Sequence, residues 1–442
     1  MAPEFGRVVR TMTAPILCAE IGDAAIQFTD TAFLGRIGSA ELAAIGFVDS
    51  LIEVAVVPAI GLIGAMQIAV ARRTGQQRED EVAATFDRTI RLVLPTVIGI
   101  GLFLRLGTEA YADRIIDSAA VAAAMADFFR YGVFGVVFFA LNFAYSSLYV
   151  GIGRTRILVA ATALVFCVNL AVTYLLVFGR AGAPRLGMEG AGIGFAVAEA
   201  STLVFFAHRA RRQIGVGGWT LIRPRVIGGV SAARLLRLGW PISGHFLIET
   251  LRWVGFLLIV ARIGEDALAA SSMVFACYGL LIIPAVAFSE AAFSLVSNLI
   301  GRGRAGSMSA LLHTLVTSAY AITLPLALFG ALWPGAALSL FTGDQATIAA
   351  ASAPLRIVSL VMLVMVPAEM WSAAVFGTAD TAIGSLIEFI ASGIMIGAAY
   401  LAEAVLGLGL TYVWATLGLA AVFTLAASYG RIHAGAWRRH RL

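Results

Sequence analysis

Gly35-Arg-Ile-Gly-Ser-Ala-Glu-Leu-Ala-Ala44 returns, 226 residues further on, as Ala261-Arg-Ile-Gly-Glu-Asp-Ala-Leu-Ala-Ala270. The same offset carries Pro15 to Pro241, Pro58 to Pro284, Gly75 to Gly301, Arg130 to Arg356 and Gly151 to Gly377 without a gap. Between Pro15 and Gly75 the copies share about 14 identities in about 61 positions, which marks an internal duplication. Both copies are apolar. The 442 residues are 60% hydrophobic and 13% charged, outside the range of a soluble globular domain. Duplicated membrane halves are the architecture of secondary transporters, whose binding site lies where the halves meet.

Apolar stretches near the roughly 20 residues that a bilayer requires recur along the whole chain. Twelve spans are predicted at 12–34, 44–71, 89–108, 126–149, 157–178, 189–207, 238–260, 270–298, 310–333, 353–376, 382–402 and 409–430. None alternates in polarity as a barrel strand must. The expected fold is an all-α integral membrane protein of twelve transmembrane helices in two pseudo-symmetric six-helix lobes. The N-terminal lobe takes 1–207, a basic linker 208–237, and the C-terminal lobe 238–442. Six spans per copy is an even number, so both copies enter the membrane from one side.

All 31 basic residues are arginine. About 22 fall in the N-terminus, the even-to-odd loops and the tail, against about 6 in the opposite loops, which places both termini in the cytoplasm. The opposite loops hold acids instead, among them Glu109, Asp113, Asp117 and Asp344. The net charge of +5 follows from this bias, so no nucleic-acid partner is implied. Arg438, Arg439 and Arg441 of the tail suit anionic headgroups. Cys18, Cys167 and Cys277 fall inside spans, without metal-ligand spacing, and read as small core residues.

A charge at bilayer depth costs about 2.5–3.5 kcal/mol, so a stripe of acids on one helix needs a compensating reason. Glu20, Asp23, Gln27 and Asp30 lie within an arc of roughly 80° on the first span. That face lines water, packs on polar neighbours or holds protons. On the seventh span His245, Glu249 and Arg252 share a face at spacings of four and three. Two readings stand there: Glu249 and Arg252 as a structural ion pair, or Glu249 as a cation site with His245 modulating it near neutral pH. Weaker candidates are Asp49 and Glu53, the line Glu290, Ser294 and Asn298, and Glu369 beside Pro367. Asn142, Tyr145, Ser146 and Tyr149 on the fourth span, with Asn169 and Thr173 on the fifth, are candidate lining residues. Trp414 reads as an interface anchor. No metalloprotease, P-loop or nucleophile-elbow motif is present, so ion-gradient coupling is the economical energy source.

Together these features resemble the multidrug and toxic compound extrusion (MATE) family of antiporters. The likeness rests on Pro15, Asp30-Thr-Ala-Phe-Leu-Gly-Arg-Ile-Gly38, Leu148-Tyr-Val-Gly-Ile-Gly-Arg-Thr-Arg156, Asn169, and Pro184-Arg-Leu-Gly-Met-Glu-Gly-Ala-Gly-Ile-Gly194. It extends through Leu238-Gly-Trp-Pro-Ile-Ser-Gly-His-Phe-Leu-Ile-Glu249, Gly301-Arg-Gly-Arg304 and Leu340-Phe-Thr-Gly-Asp344. The resemblance implies export of organic, cationic amphipathic compounds in exchange for H+ or Na+, from the plasma (bacterial inner) membrane. Small organic substrates and lipids are the implied partners of a monomer, with no cofactor beyond the coupling ion. Asp30 matches the coupling carboxylate of the first helix, Glu249 the seventh-helix acid used for cations, and Asn169 a fifth-helix asparagine. Thr173 stands where the family often has aspartate, and Met365 where its tenth-helix acid falls; Glu369, one turn on, is the candidate substitute. The ion therefore stays open between H+ and Na+. Export of a specific metabolite, or flipping of a lipid-linked precursor, is the alternative within transport. An anionic cargo would need several mid-span cations, and Arg252 is the only clear one. A membrane-embedded enzyme using the first-span acids is the alternative outside it.

Overall fold

The computed structural model describes residues 3–214 and 228–439. Twelve long helices account for most of them. They are α1 (Pro3–Leu34), α2 (Ser39–Gly75), α3 (Glu79–Ile115), α4 (Ala119–Gly151), α5 (Arg156–Phe178) and α6 (Met188–Gln213) in the first copy. The second copy holds α7 (Ala232–Ile263), α8 (Glu265–Gly301), α9 (Met308–Leu332), the five-residue α10 (Pro334–Leu338), α11 (Gln345–Gly377), α12 (Thr381–Tyr400) and α13 (Leu410–Ala434). The tenth to twelfth predicted spans are thus α11, α12 and α13. Ten of the helices are long and apolar enough to cross a membrane; α1 and α7, which carry the charged stripes, are not among them. Gly215, Gly217, Gly218, Arg223, Pro224 and Arg225 of the expected linker lie outside the described residues, as do Arg441 and the side chains of Glu109, Asp113 and Arg439. The ends of that linker are helical, because α6 runs to Gln213 and α7 begins at Ala232.

The duplication is visible in the packing and in single hydrogen bonds. In the first copy α2 packs on α3 and α4, and α6 on α4 and α5. In the second, α8 packs on α9 and α11, and α13 on α11 and α12. The stretch that revealed the repeat forms the turns from α1 to α2 and from α7 to α8. There Leu42 N–H donates to Gly38 O and Leu268 N–H to Gly264 O, each at 3.1 Å. At the ends of α4 and α11, Gly153 and Ala379 both take φ of 73°, left-handed backbone that glycine adopts without cost.

By contact clustering the chain forms two compact units: Ala14–Ser243, and Gly244–Leu442 together with Met1–Thr13. Both cuts fall inside a helix, beside the equivalent prolines Pro15 and Pro241. The N-terminal unit has an apolar core centred on Val48, Phe129, Val136 and Val177. The C-terminal unit has its own, around Phe256, Leu355, Met395 and Trp414. Trp414 is therefore no interface anchor. It is fully buried and its indole N–H donates to the Ser271 hydroxyl at 2.9 Å, which satisfies the one polar atom of the ring. Of the cysteines only Cys277 is buried; Cys18 and Cys167 are exposed on their helices, against the expectation of core positions. At the start of α11, Asp344 caps the helix by accepting from Ala346 N (3.3 Å) and Thr347 N (3.0 Å), bonds that hold its carboxyl below the usual carboxylate range.

The start of α7 belongs to the N-terminal unit and is held there in two ways. Arg88 of α3 donates to Val230 O at 2.6 Å and Val230 N to the Thr85 hydroxyl at 3.1 Å. Further along, α7 crosses α2 at Gly61 and Gly239. A Cβ on Gly239 would sit 2.8 Å from Gly61 O and 3.0 Å from its carbonyl carbon, and backbone cannot step aside. Small residues let the two backbones touch, and the Ser243 hydroxyl donates to Val57 O at 3.2 Å beside them. Gly61→Ala is expected to cost about 1–3 kcal/mol, read as a lower melting temperature in detergent. Gly46→Ala, on the same helix with nothing within 4 Å, should leave that temperature unchanged or raise it.

Candidate functional site

In the N-terminal unit the last turns of α1 bring Asp30 against the middle of α5. Asn169 Nδ2 donates to both Asp30 oxygens, at 2.9 and 3.0 Å, and the Thr173 hydroxyl donates to Asn169 Oδ1 at 2.9 Å. Asn169 and Thr173 are buried and Asp30 half-buried. The three form a directed chain that runs from the Thr173 hydroxyl through the Asn169 amide to the carboxylate. Gly194 of α6 leaves the space that the Thr173 side chain occupies. Phe33, Tyr174 and Phe178 cluster beside the chain with centroids 5.4–5.8 Å apart. On the rest of the α1 stripe Glu20 is half-buried, while Asp23 and Gln27 are exposed. Asp49 and Glu53 are exposed on α2.

A second buried carboxylate in this unit carries its own sequence signal. Glu199 is the lone acid in the apolar run of α6 after Glu189, and an ionisable residue inside a span is a functional candidate by default. Asn142 of α4 donates to its carboxylate at 2.7 Å and to its backbone carbonyl at 2.8 Å. Asn142 thus ties two helices together rather than lining an accessible face. Tyr145 and Tyr149 are also buried, their rings against Phe206 at 6.0 Å, and the Tyr149 hydroxyl donates to Gln213 at 3.2 Å. Only Ser146 of that expected group is less than fully buried.

The C-terminal unit solves the same problem with a cation. Arg252 bridges Glu249, at 3.3 Å, and Glu388 of α12, its closer partner. Ser392, one turn on, donates to the same Glu388 oxygen at 3.4 Å. The guanidinium also lies 5.7 Å over the Trp253 ring, which packs on Phe275, Tyr278 and Trp414. Glu369 acts electrostatically on this cluster from α11, which runs unbroken past Pro367. Sequence spacing found the Glu249–Arg252 contact; Glu388, 136 residues from Arg252, carried only the signal of an isolated acid in a span. His245 contacts the Phe246 and Phe376 rings, and its Nδ1 is buried without a hydrogen bond. On α8 Ser294 is buried, with Glu290 and Asn298 half-buried.

The repeat offset shows how far the copies have diverged. Asp30, Asn169 and Thr173 correspond to Phe256, Met395 and Ala399, all buried in the apolar core of the C-terminal unit. Conversely Glu249, Arg252 and Glu388 correspond to Asp23, Ile26 and Thr162. Of these six pairs of positions only Asp23 and Glu249 are ionisable in both copies.

A duplicated six-helix unit with carboxylates held inside its spans defines a multi-pass membrane transporter. The MatE family model matches residues 15–175 and 241–401, once per copy and with the same offset of 226. The chain belongs to that family, the multidrug and toxic compound extrusion transporters. Among similar proteins, the probable multidrug resistance protein NorM of Synechococcus sp. is 26% identical over 418 residues, covering 91% of this chain and 88% of the relative. The multidrug resistance protein NorM of Vibrio cholerae is 24% identical over 264 residues, covering 59% and 57%. An outward-facing multidrug resistance MATE family transporter of the MOP superfamily superposes with a TM-score of 0.88 at 18% identity, covering 97% and 96%. The bent form of the Vibrio cholerae MATE transporter VcmN does so at 0.87 and 16%, covering 98% of each chain. At such identities the structures establish the two-lobe fold.

The Arg252 cluster makes a stability prediction. Glu388→Gln removes the closer, buried partner of a buried cation and is expected to cost about 3–5 kcal/mol, whereas Glu249→Gln, at a side chain 41% exposed, should cost less than about 1 kcal/mol. Adding Arg252→Met to Glu388→Gln should recover part of the loss, as read from melting in detergent.

Proposed function

We propose that the protein exports organic, cationic amphipathic compounds in exchange for protons, with Asp30 as the coupling group. The observation that carries this reading is the Thr173–Asn169–Asp30 chain. Ionised, Asp30 accepts both Asn169 contacts but leaves a net charge inside the span. Protonated, it removes that charge and obliges the amide to share one carbonyl oxygen and a hydroxyl. The two forms favour different placements of the end of α1, and a ligand drives transport only when it distinguishes two states.

The arrangement favours H+ over Na+. A metal ion needs several oxygen ligands turned to one point, and here Asn169 turns its N–H donor, not its carbonyl, toward Asp30, while the carbonyl accepts from Thr173. In the C-terminal unit the carboxylates Glu249 and Glu388 already have Arg252 between them. The same engagement argues against an anionic cargo, since the mid-span arginine has its charge satisfied. Arginine bias supports cytoplasmic termini in a plasma (bacterial inner) membrane.

Efflux of ethidium, a fluorescent organic cation, from reconstituted vesicles tests the reading. Export should follow an imposed H+ gradient, ignore an imposed Na+ gradient, and fall in Asp30→Asn to the level of protein-free vesicles. Glu249→Gln should retain H+-driven export. Export driven by Na+ alone, or an active Asp30→Asn, would remove the assignment.

A further inference from the structure

The N-terminal unit contains a second buried carboxylate that the exchange reading does not use. Glu199 is 8% exposed and Asn142 is 6% exposed. Asn142 Nδ2 donates to both the Glu199 carboxylate and its backbone carbonyl, which sets which end of the amide faces the acid. The opposite end, Asn142 Oδ1, is buried and has no hydrogen-bond partner. Among the described residues no cation pairs with the acid. Between Tyr131 and Val150, α4 holds no charged residue, and neither does α5 between Ile157 and Phe178; both helices pack on α6. The tyrosines Tyr145 and Tyr149 of α4 meet α6 at Phe206, two turns from Glu199. Asp23 of α1 acts on Glu199 electrostatically, and it is an acid as well.

An ammonium group cannot enter a site closed to this degree without parting α4 from α6, but a proton can. The hydrogen bond from Asn142 suits either state of the acid. The ionised carboxylate accepts it, and the protonated acid still accepts on one oxygen while carrying the proton on the other. Neither state needs a helix to move. A proton is therefore the cation that this closed site can take.

We propose that Glu199, held by Asn142, is a second proton-binding centre of the N-terminal unit, filled and emptied independently of Asp30. The step is transfer of one proton from hydronium to the Glu199 carboxylate, leaving water, with no other bond changed. This inference rests on the proton-exchange reading. It extends that reading from one proton-binding centre to two.

Infrared titration of the purified protein in detergent, which needs no substrate, separates the two. The carbonyl band of protonated carboxylic acid is followed against pH in wild type, Asp30→Asn, Glu199→Gln and the double variant. Asp30→Asn is expected to retain a titrating band that is lost in Asp30→Asn/Glu199→Gln. Identical titrations of Asp30→Asn and the double variant, or a Glu199 band that does not change with pH, would overturn the second centre. Identical titrations of wild type and Asp30→Asn would instead overturn the role of Asp30. Glu199→Gln keeps an acceptor for Asn142, so the α4–α6 contact should persist. Should that variant nevertheless fail to fold, Asp30→Asn/Asn142→Ala leaves the acid in place and must shift the midpoint of its band; an unmoved midpoint also counts against the proposal.

Discussion

A carboxylate inside a hydrocarbon-spanning helix must be satisfied by something, and the organisation of this protein follows from how each one is. A lone ionised acid at that depth costs several kcal/mol, a large share of the stability of a whole domain. Three arrangements answer the cost. Asp30 takes two hydrogen bonds from one amide, Glu199 takes one from another, and Glu388 with Glu249 takes an arginine. The first two leave the acid free to gain or lose a proton, because a neutral amide serves either state. The third does not, because protonating Glu388 would strip a buried guanidinium of its closer counter-charge.

The two copies share one scaffold and differ in how they hold their acids. Helix packing and turn hydrogen bonds repeat from copy to copy, down to matched 3.1 Å contacts at Gly38 and Gly264. The inner polar residues do not repeat. Where the N-terminal unit holds Asp30, Asn169 and Thr173, the C-terminal unit holds Phe256, Met395 and Ala399 in close-packed core. Apolar packing conserves the helix arrangement, since any side chain of suitable volume fills the space. Titratable function depends on a few atoms and is free to diverge.

The two helices with charged stripes also differ from the rest in their placement. Each is divided between the two units close to its proline, and the opening turns of α7 are fastened to α3 and to the bare backbone of α2 at Gly61.

Much of this was legible in the chain alone. The count of spans, the duplication, the positions of the twelve long helices and the stripes on the first and seventh helices are local properties. They are encoded by hydrophobic run length, by a repeat in the residue order and by the helical period. What only the tertiary structure decided is which polar groups meet. Asn169 chooses Asp30 across 139 residues, Arg252 prefers Glu388 across 136 to Glu249 three residues away, and Asn142 turns inward to Glu199. Periodicity places a side chain on a face of its own helix. The rotation and separation of the neighbouring helix determine what that face touches, and these are set by the packing of all the helices together.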